Sequence, residues 1–333
     1  MTKTNRQVVY IQQPKGHITK DCFSIREGGL PEPSEGEVVI ANRLMSLDPY
    51  MRMGMLGAQG QDNLNTVMVG RVVGTVAASR HPDFKEGDSV FAMGRWEQHT
   101  CLPGSELRHI NVGNVGWAPY LGVLGFTGLT AWVGLRHYTD MKEGETLFVS
   151  AAAGAVGSAA GQIGKIHGLE VVGCAGGPEK TAYILDELGF DRAFDYQASK
   201  DLISDVGQYC PNGIDIDFEN VGGAIFDAVF RHMNPGGRLA ICGGISQYNL
   251  KEPEPAVPNL LDFITKRLTM QGFTVRNHTH EIEAYIEKAT EWVQNGQLKG
   301  RETIVEGIEN TPKAFLDLFD GKNIGKMMVR VDQ

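Results

Sequence analysis

The stretch Ser150-Ala151-Ala152-Ala153-Gly154-Ala155-Val156-Gly157 constrains the fold more than any other, because an apolar run, Thr146 to Val149, leads into it and a helical pattern leads out. Strand, glycine turn and helix in that order read as a dinucleotide-binding turn. Its fingerprint needs small residues where the backbone turns tightly, where it approaches a pyrophosphate and where helix meets strand. Ala152 replaces the first glycine, while Gly154 and Gly157 keep the other two. The loop's N–H groups would face the pyrophosphate. Beyond the turn, Gly157, Gly161, Gly164 and Gly168 recur at helical spacing, so one helix face is nearly bare and can lie close to sheet or cofactor. A membrane-spanning version of this small-residue face is excluded by Gln162, Lys165 and His167.

A chain of 333 residues suggests two domains. A net charge of −9 without a long basic run argues against a nucleic-acid partner. Met1 to Gln13 alternates polar and apolar residues and holds no continuous apolar segment, so neither secretion nor a membrane is expected and the location follows as cytoplasmic. Cys22, Cys101, Cys174, Cys210 and Cys242 are odd in number and never spaced C-x-x-C, which points to free thiols rather than disulfides or a structural zinc.

The first third reads as β-rich. Val8 to Ile11, Val38 to Ala41, Val67 to Val76 and Ser89 to Ala92 are short apolar or alternating runs separated by turn residues, and they imply a barrel-like β unit. From about Gly122 helix and strand alternate, the pattern of a doubly wound parallel sheet. Strands are expected at Thr146 to Ser150, Glu170 to Cys174, Ala193 to Tyr196, Ile214 to Asn220, Arg238 to Cys242 and Leu268 to Phe273. Helices are expected at Glu179 to Leu188, at Ala224 to His232 and at about Glu281 to Gln294; the last would pack Ile282, Tyr285, Ile286, Ala289 and Val293 on the sheet. The tail, Gly325 to Val331, reads as one more strand returning to the first domain.

The second strand of the alternating region decides which dinucleotide fits. NAD sites usually place an acid at its end. Here Val171-Val172-Gly173-Cys174-Ala175 runs into Gly176-Gly177-Pro178-Glu179-Lys180, so no acid repels a 2′-phosphate and Lys180 adds a counter-charge. NADP is favoured.

The residues resemble the zinc-free medium-chain reductases: the leukotriene dehydrogenase and prostaglandin reductase family, with curcumin reductases and alkenal double-bond reductases. The likeness spans nearly the whole chain and rests on Ser46-Leu47-Asp48-Pro49-Tyr50-Met51-Arg52, Gly125 to Ala131, Ala151 to Ser158, Phe218-Glu219-Asn220-Val221-Gly222-Gly223, Ile245 to Asn249 and Gly272 to Val275. It implies an α/β protein with a GroES-like β-barrel over 1–121, completed by 303–333, and a Rossmann domain over 122–302. It implies that Gly154, Ala155, Val156 and Gly157 hold the pyrophosphate, that Lys180 and Tyr196 flank the 2′-phosphate, and that Asn220 contacts the cofactor. Cys242, Gly243, Gly244, Ile245, Ser246 and Tyr248 would line its path, Phe273 and Val275 would flank the nicotinamide, and Asn323 would reach it from the tail. A homodimer is also implied.

Zinc-dependent relatives carry a cysteine where this chain has Ser46-Leu47-Asp48 and a His-Glu pair near its Gly70-Arg71. Reduction of a polarised double bond is therefore the natural chemistry: NADPH delivers hydride to the β-carbon of a small hydrophobic enone or enal, and the enolate is protonated at the α-carbon. Tyr248 and Tyr50 are the candidate donors to the enolate oxygen, since a phenol stays neutral at pH 7. Quinone reduction and non-catalytic NADPH binding are the competing readings. His278-x-His280 with Glu281 and Glu283 reads as the polar start of a helix, and no metal is expected. Met45, Met51, Met53 and Met55 form either an adaptable substrate wall or core. Cys101 and Cys242 have nothing beside them to lower a thiol pKa, so they read as buried structural cysteines.

Overall fold

The computed structural model describes residues 4–113, 115–251 and 259–331. The chain divides into two compact units, Gly122–Arg301 and a second built from Met1–Leu121 with Glu302–Gln333.

In the central unit six strands form one parallel sheet: β1 (Thr146–Val149), β2 (Glu170–Ala175), β3 (Arg192–Asp195), β4 (Ile214–Glu219), β5 (Met233–Ile241) and β6 (Thr269–Gly272), in spatial order 3-2-1-4-5-6. This is the doubly wound arrangement of the Rossmann fold. The connecting helices are α1 (Phe126–Tyr138, ahead of β1), α2 (Ala155–Ile166), α3 (Pro178–Ala182), α4 (Leu202–Tyr209), α5 (Gly223–Arg231), α6 (Leu260–Lys266) and α7 (Ile282–Gln294).

Alternation along the strands sends Phe148, Val172, Cys174, Phe194 and Leu239 into a core with Val206 of α4 and Ile225, Ala228 and Val229 of α5. On the other face glycines let helices lie against the sheet: a Cβ at Gly164 of α2 would come within 2.6 Å of Leu147, and one at Gly134 of α1 within 2.5 Å of Phe218. The bare face expected of α2 is therefore a packing face. At Gly161 a Cβ would overlap the Phe190 ring, only 1.9 Å away.

Three expectations are corrected here. The segment expected as one helix from Glu179 to Leu188 is α3 followed by a π-helical turn, Tyr183–Glu187. Strand β5 starts at Met233, not Arg238; Asn234-Pro235-Gly236-Gly237 interrupts its register with β4 but does not end it. Helix α7 buries Tyr285, Ala289 and Trp292, while Ile282, Ile286 and Val293 are only partly covered. Its neighbour is α1 rather than the sheet: the Trp132 and Tyr285 rings lie 5.7 Å apart, and the Tyr285 hydroxyl donates to the Val123 carbonyl just before α1.

The other unit is β-rich, as the turn chemistry implies. Thr4–Tyr10 pairs with Phe23–Gly29 and Thr66–Val67. Glu37–Ser46 pairs antiparallel with Val69–Ser79, His99–Pro103 and Lys326–Arg330, so the tail does return as a strand of this unit. Phe23–Gly29 and Leu107–His109 went unexpected because Arg26-Glu27-Gly28-Gly29 and Arg108-His109 lack apolar alternation. The two sheets share a core in which Phe23, Trp96 and Phe315 meet edge to face or tilted, with centroids 5.2 to 6.2 Å apart. Met45, Met51 and Met55 belong to that core, and Met53 alone of the four methionines is exposed.

Candidate active site

The order 3-2-1-4-5-6 reverses direction between β1 and β4, where a doubly wound sheet opens a crevice beyond its strand ends. The turn after β1 begins at Ser150. Ala151 then takes a left-handed conformation, φ 48°, which a side chain adopts only at some cost. The tight turn therefore sits one residue ahead of the position where a glycine is usual. Gly154 is extended, φ −82°, and its N–H turns back to the Ala151 carbonyl at 2.9 Å. A Cβ at Gly157 would come within 2.4 Å of that carbonyl, so only glycine lets α2 start this close to the turn.

Asp201 caps α4 by accepting from the Ile203 and Ser204 amides, and Asn259 caps α6. At α2 no side chain does this. The amides of its first turn have no partner within the helix, and Gly154, Ala155 and Val156 are partly exposed among buried neighbours. Together with the helix dipole, this arrangement suits an anion.

Glu219, at the end of β4, ties the crevice together. One carboxylate oxygen accepts from Ser150 Oγ at 3.0 Å, from Val221 N–H at 2.5 Å and from Gly222 N–H at 2.7 Å. Asn220 donates its backbone N–H to Ser150 Oγ at 2.7 Å and its side-chain amide to the Ser150 carbonyl at 2.9 Å. The loop after β5 is stitched on in turn. Cys242 and Gly243 donate to the Glu219 carbonyl, Ile245 to the Asn220 carbonyl, and Ser246 to the Val221 carbonyl through both N–H and Oγ. The ends of β1, β4 and β5 thus form one hydrogen-bonded rim.

Burial raises the Glu219 carboxyl above its usual range against the pull of those loop amides. Two residues earlier on the same strand face, Asp217 is fully buried and raised further, first by burial and then by Glu219. Neither of its oxygens has a hydrogen-bond partner among the described residues. Burial, with Glu219 nearby, also pushes the Cys242 thiol up to about 12, and burial with Glu37 nearby raises the Cys101 thiol. Both are half-buried rather than buried, and both are weak nucleophiles.

Tyr248 folds back over its own loop, its hydroxyl accepting from the Gly244 N–H at 3.4 Å. Burial raises that phenol. On α3, beyond the end of β2, Lys180 is partly buried and burial lowers its ammonium pKa. The Tyr196 hydroxyl lies beside Gly176, where a Cβ would sit 3.1 Å from it. An unanticipated acid also reaches this turn: Asp195 of β3 accepts from the Gly177 and Gln197 amides at 2.8 and 2.9 Å. Phe273 stacks on Tyr138 with ring centroids 4.8 Å apart, and Val275 follows it, half-buried, at the end of β6.

In the β-rich unit Lys326, 3% exposed, donates to Asp48 Oδ1 at 2.8 Å and to the Leu47 carbonyl at 2.7 Å. Ser46 donates to Asp48 Oδ2, and Arg71 Nη1 lies 3.7 Å from the same oxygen. Burial alone would raise the Asp48 pKa; Lys326, then Arg71, hold it below the usual range instead. Arg71 also donates to the Tyr50 hydroxyl at 3.3 Å and lies over its ring. Asn323 is buried and donates its amide to the Gly325 carbonyl in its own turn. Sequence reasoning named neither Lys326 nor Glu219 for a role. The available signals were a lysine opening an apolar strand and acids at alternate positions in Ile214-Asp215-Ile216-Asp217-Phe218-Glu219.

A family model described as the N-terminal domain of oxidoreductase matches residues 6–110, and one described as zinc-binding dehydrogenase matches residues 155–291. The chain is 39% identical over 339 residues to NADPH-dependent curcumin reductase of Escherichia coli strain K12, spanning 98% of this chain and 97% of that one. To the NADP-dependent 2-alkenal reductase of Nicotiana tabacum it is 39% identical over 339 residues, spanning 99% and 98%. The crystal structure of CurA from Vibrio vulnificus in complex with NADPH superposes with a TM-score of 0.92 at 40% identity, covering 98% of this chain and 99% of that one. A zinc ion does not fit where zinc-dependent relatives hold theirs: Ser46, Asp48 and Arg71 stand there, and the carboxylate already has two cationic partners. The chain belongs to the medium-chain dehydrogenase/reductases, in the zinc-free branch of curcumin, alkenal and prostaglandin reductases.

Proposed function

We propose that this protein reduces the carbon–carbon double bond of α,β-unsaturated ketones and aldehydes with NADPH. The observation that carries the reading is the uncapped start of α2, joined to the rim of Ser150, Glu219 and Asn220, in a chain whose relatives over nearly its full length are NADPH-dependent reductases. When bound, NADPH supplies the hydride that the β-carbon accepts. The first turn of α2, Gly154 to Gly157, offers its amides to the pyrophosphate. Asn220 and the loop from Cys242 to Tyr248 border the cofactor.

Lys180 and Tyr196 take the 2′-phosphate. A phosphate dianion there restores the proton affinity that burial removes from Lys180. Phe273 and Val275 support the nicotinamide face. As hydride adds at the β-carbon, the double-bond pair moves between the α-carbon and the carbonyl carbon and the carbonyl π pair moves onto oxygen; the enolate oxygen accepts a hydrogen bond from Tyr248 until a proton reaches the α-carbon. The raised phenol of Tyr248 keeps it a neutral donor at working pH.

A second copy of the chain pairs on β6, an edge strand bonded on one side to β5. Beside it Leu260, Leu261 and Ile264 are 64 to 72% exposed, and Met270 is exposed on β6 itself. Light scattering that returns the mass of a single chain would reject the dimer.

The deciding experiment follows NADPH consumption with 1-octen-3-one and identifies the product by mass spectrometry. The saturated ketone is expected. An allylic alcohol, or turnover of quinones without enones, would replace the reading, and NADPH binding without turnover of either would make the chain a binding protein. Lys180→Ala is expected to narrow the preference for NADPH over NADH roughly tenfold, the worth of one charge-assisted contact; an unchanged ratio would remove Lys180 from the phosphate site. Tyr248→Phe is expected to slow turnover with little change in NADPH affinity, and full activity would take the tyrosine out of the mechanism.

A further inference from the structure

The polar run before α7 does more than begin a helix. His137, near the end of α1, joins it from far away in sequence: its Nε2 lies 3.0 and 3.1 Å from the two oxygens of Glu281, 144 positions further on. His278, its ring stacked on that of His137 with centroids 4.9 Å apart, reaches the same carboxylate, Nδ1 to Oε1 at 2.9 Å. One nitrogen from each imidazole and a carboxylate oxygen therefore lie together, all within 4.8 Å of one another. Glu281 and His278 are only 15 and 16% exposed at their side chains, whereas His137, at 35%, opens the cluster to solvent.

The outer surroundings fit ligands as well. A metal-bound imidazole has its second nitrogen fixed by a hydrogen bond, which sets the tautomer and aims the first nitrogen. His278 Nε2 is fixed in this way by the Tyr138 hydroxyl at 2.9 Å, and Tyr138 is itself held by stacking on Phe273. Two neutral imidazoles and a carboxylate suit zinc and its neighbours in the transition series, not magnesium or calcium, which prefer oxygen alone. In a tetrahedral site with bonds of about 2.0–2.1 Å the ligand atoms stand roughly 3.3 Å apart. The nitrogen-to-oxygen spacings, 2.9 to 3.1 Å, need to widen by only a few tenths of an ångström, and the two ring nitrogens lie within 4.8 Å of each other.

We propose that His137, His278 and Glu281 form a divalent-cation site of the zinc type, with water in the remaining position, that ties the end of α1 to the segment leading into α7. It is separate from the position where zinc-dependent relatives hold their ion. Its place is structural or regulatory, since Tyr138 carries its effect to the ring of Phe273.

The test uses the full chain, stripped with a chelator, and zinc chloride titrated in competition with a chromophoric chelator. One zinc per chain is expected, with a rise in melting temperature as zinc is added. Cobalt(II) should give visible d–d bands without a thiolate charge-transfer band. His137→Asn, on the exposed rim, should weaken binding about tenfold or more and abolish the thermal shift, and Glu281→Gln should do the same. Absence of bound zinc would overturn the site. So would binding that both variants leave unchanged, or a thiolate band, which would assign the ion to cysteine. Because binding and melting are read directly, these outcomes stand apart from any result with enones.

Discussion

The two units each bury a carboxylate at the end of a strand, and they compensate it in opposite ways. Asp48, in the β-rich unit, stays ionised because Lys326 and Arg71 stand beside it. Glu219, in the central unit, has no cationic partner among the described residues; its partners are a hydroxyl and two loop amides, and Asp217 beneath it adds a second acid. A buried ion pair holds two distant chain segments together through opposite charges. A carboxyl satisfied by backbone N–H groups shapes a loop instead. The first solution anchors the returning tail to the turn that carries Tyr50. The second moulds the rim where a pyrophosphate is proposed to lie.

Breaking the ion pair should have the largest effect. Lys326→Met leaves Asp48 buried beside a single, more distant cation, and a loss of about 3–5 kcal/mol in unfolding free energy is expected by denaturant titration. A loss below about 1 kcal/mol would mean that Arg71 alone compensates the carboxylate. Next comes Glu219→Ala, which strips the Ser150 hydroxyl and the Val221 and Gly222 amides of their shared acceptor. About 1–3 kcal/mol of stability should go, and NADPH affinity, read by fluorescence titration, should fall with it. Unchanged affinity would separate this rim from cofactor binding.

The pH dependence sharpens the contrast. The Asp48 pKa is lowered on folding, so its contribution is present above the unfolded value near 4 and is lost as pH falls through the folded one. Asp217 and Glu219 are raised on folding, so theirs is complete below about 4 and declines as pH rises toward their folded values. Asp217→Asn should therefore flatten the alkaline limb of the stability curve, whose slope for one such group reaches about 1.4 kcal/mol per pH unit, and leave the acid limb alone. An unaltered alkaline limb would show that Asp217 does not titrate differently on folding.

Local pattern made the architecture legible. Apolar strands alternating with helices and a small-residue turn at Ala152, Gly154 and Gly157 led to a doubly wound sheet, because strand and helix periodicities are properties of short segments. Gly161 and Gly164 were visible as a bare helix face, but what filled it was not: Phe190 and Leu147 come from other parts of the chain. The same limit applied to the candidate site. The turn after β1 could be read from its glycines, whereas the left-handed Ala151 could not, since nothing in an alanine announces a positive φ.

What the sequence by itself determined is the set of elements, their class and the neutral, glycine-rich end of β2, because each follows from residues adjacent in the chain. Only the tertiary structure decided which polar groups meet. Lys326 reaches Asp48 across 278 positions, Ser150 reaches Glu219 across 69, and His137 reaches Glu281 across 144. The charge state of a buried group depends on those meetings, since desolvation and pairing differ in sign and neither can be read from the residue alone.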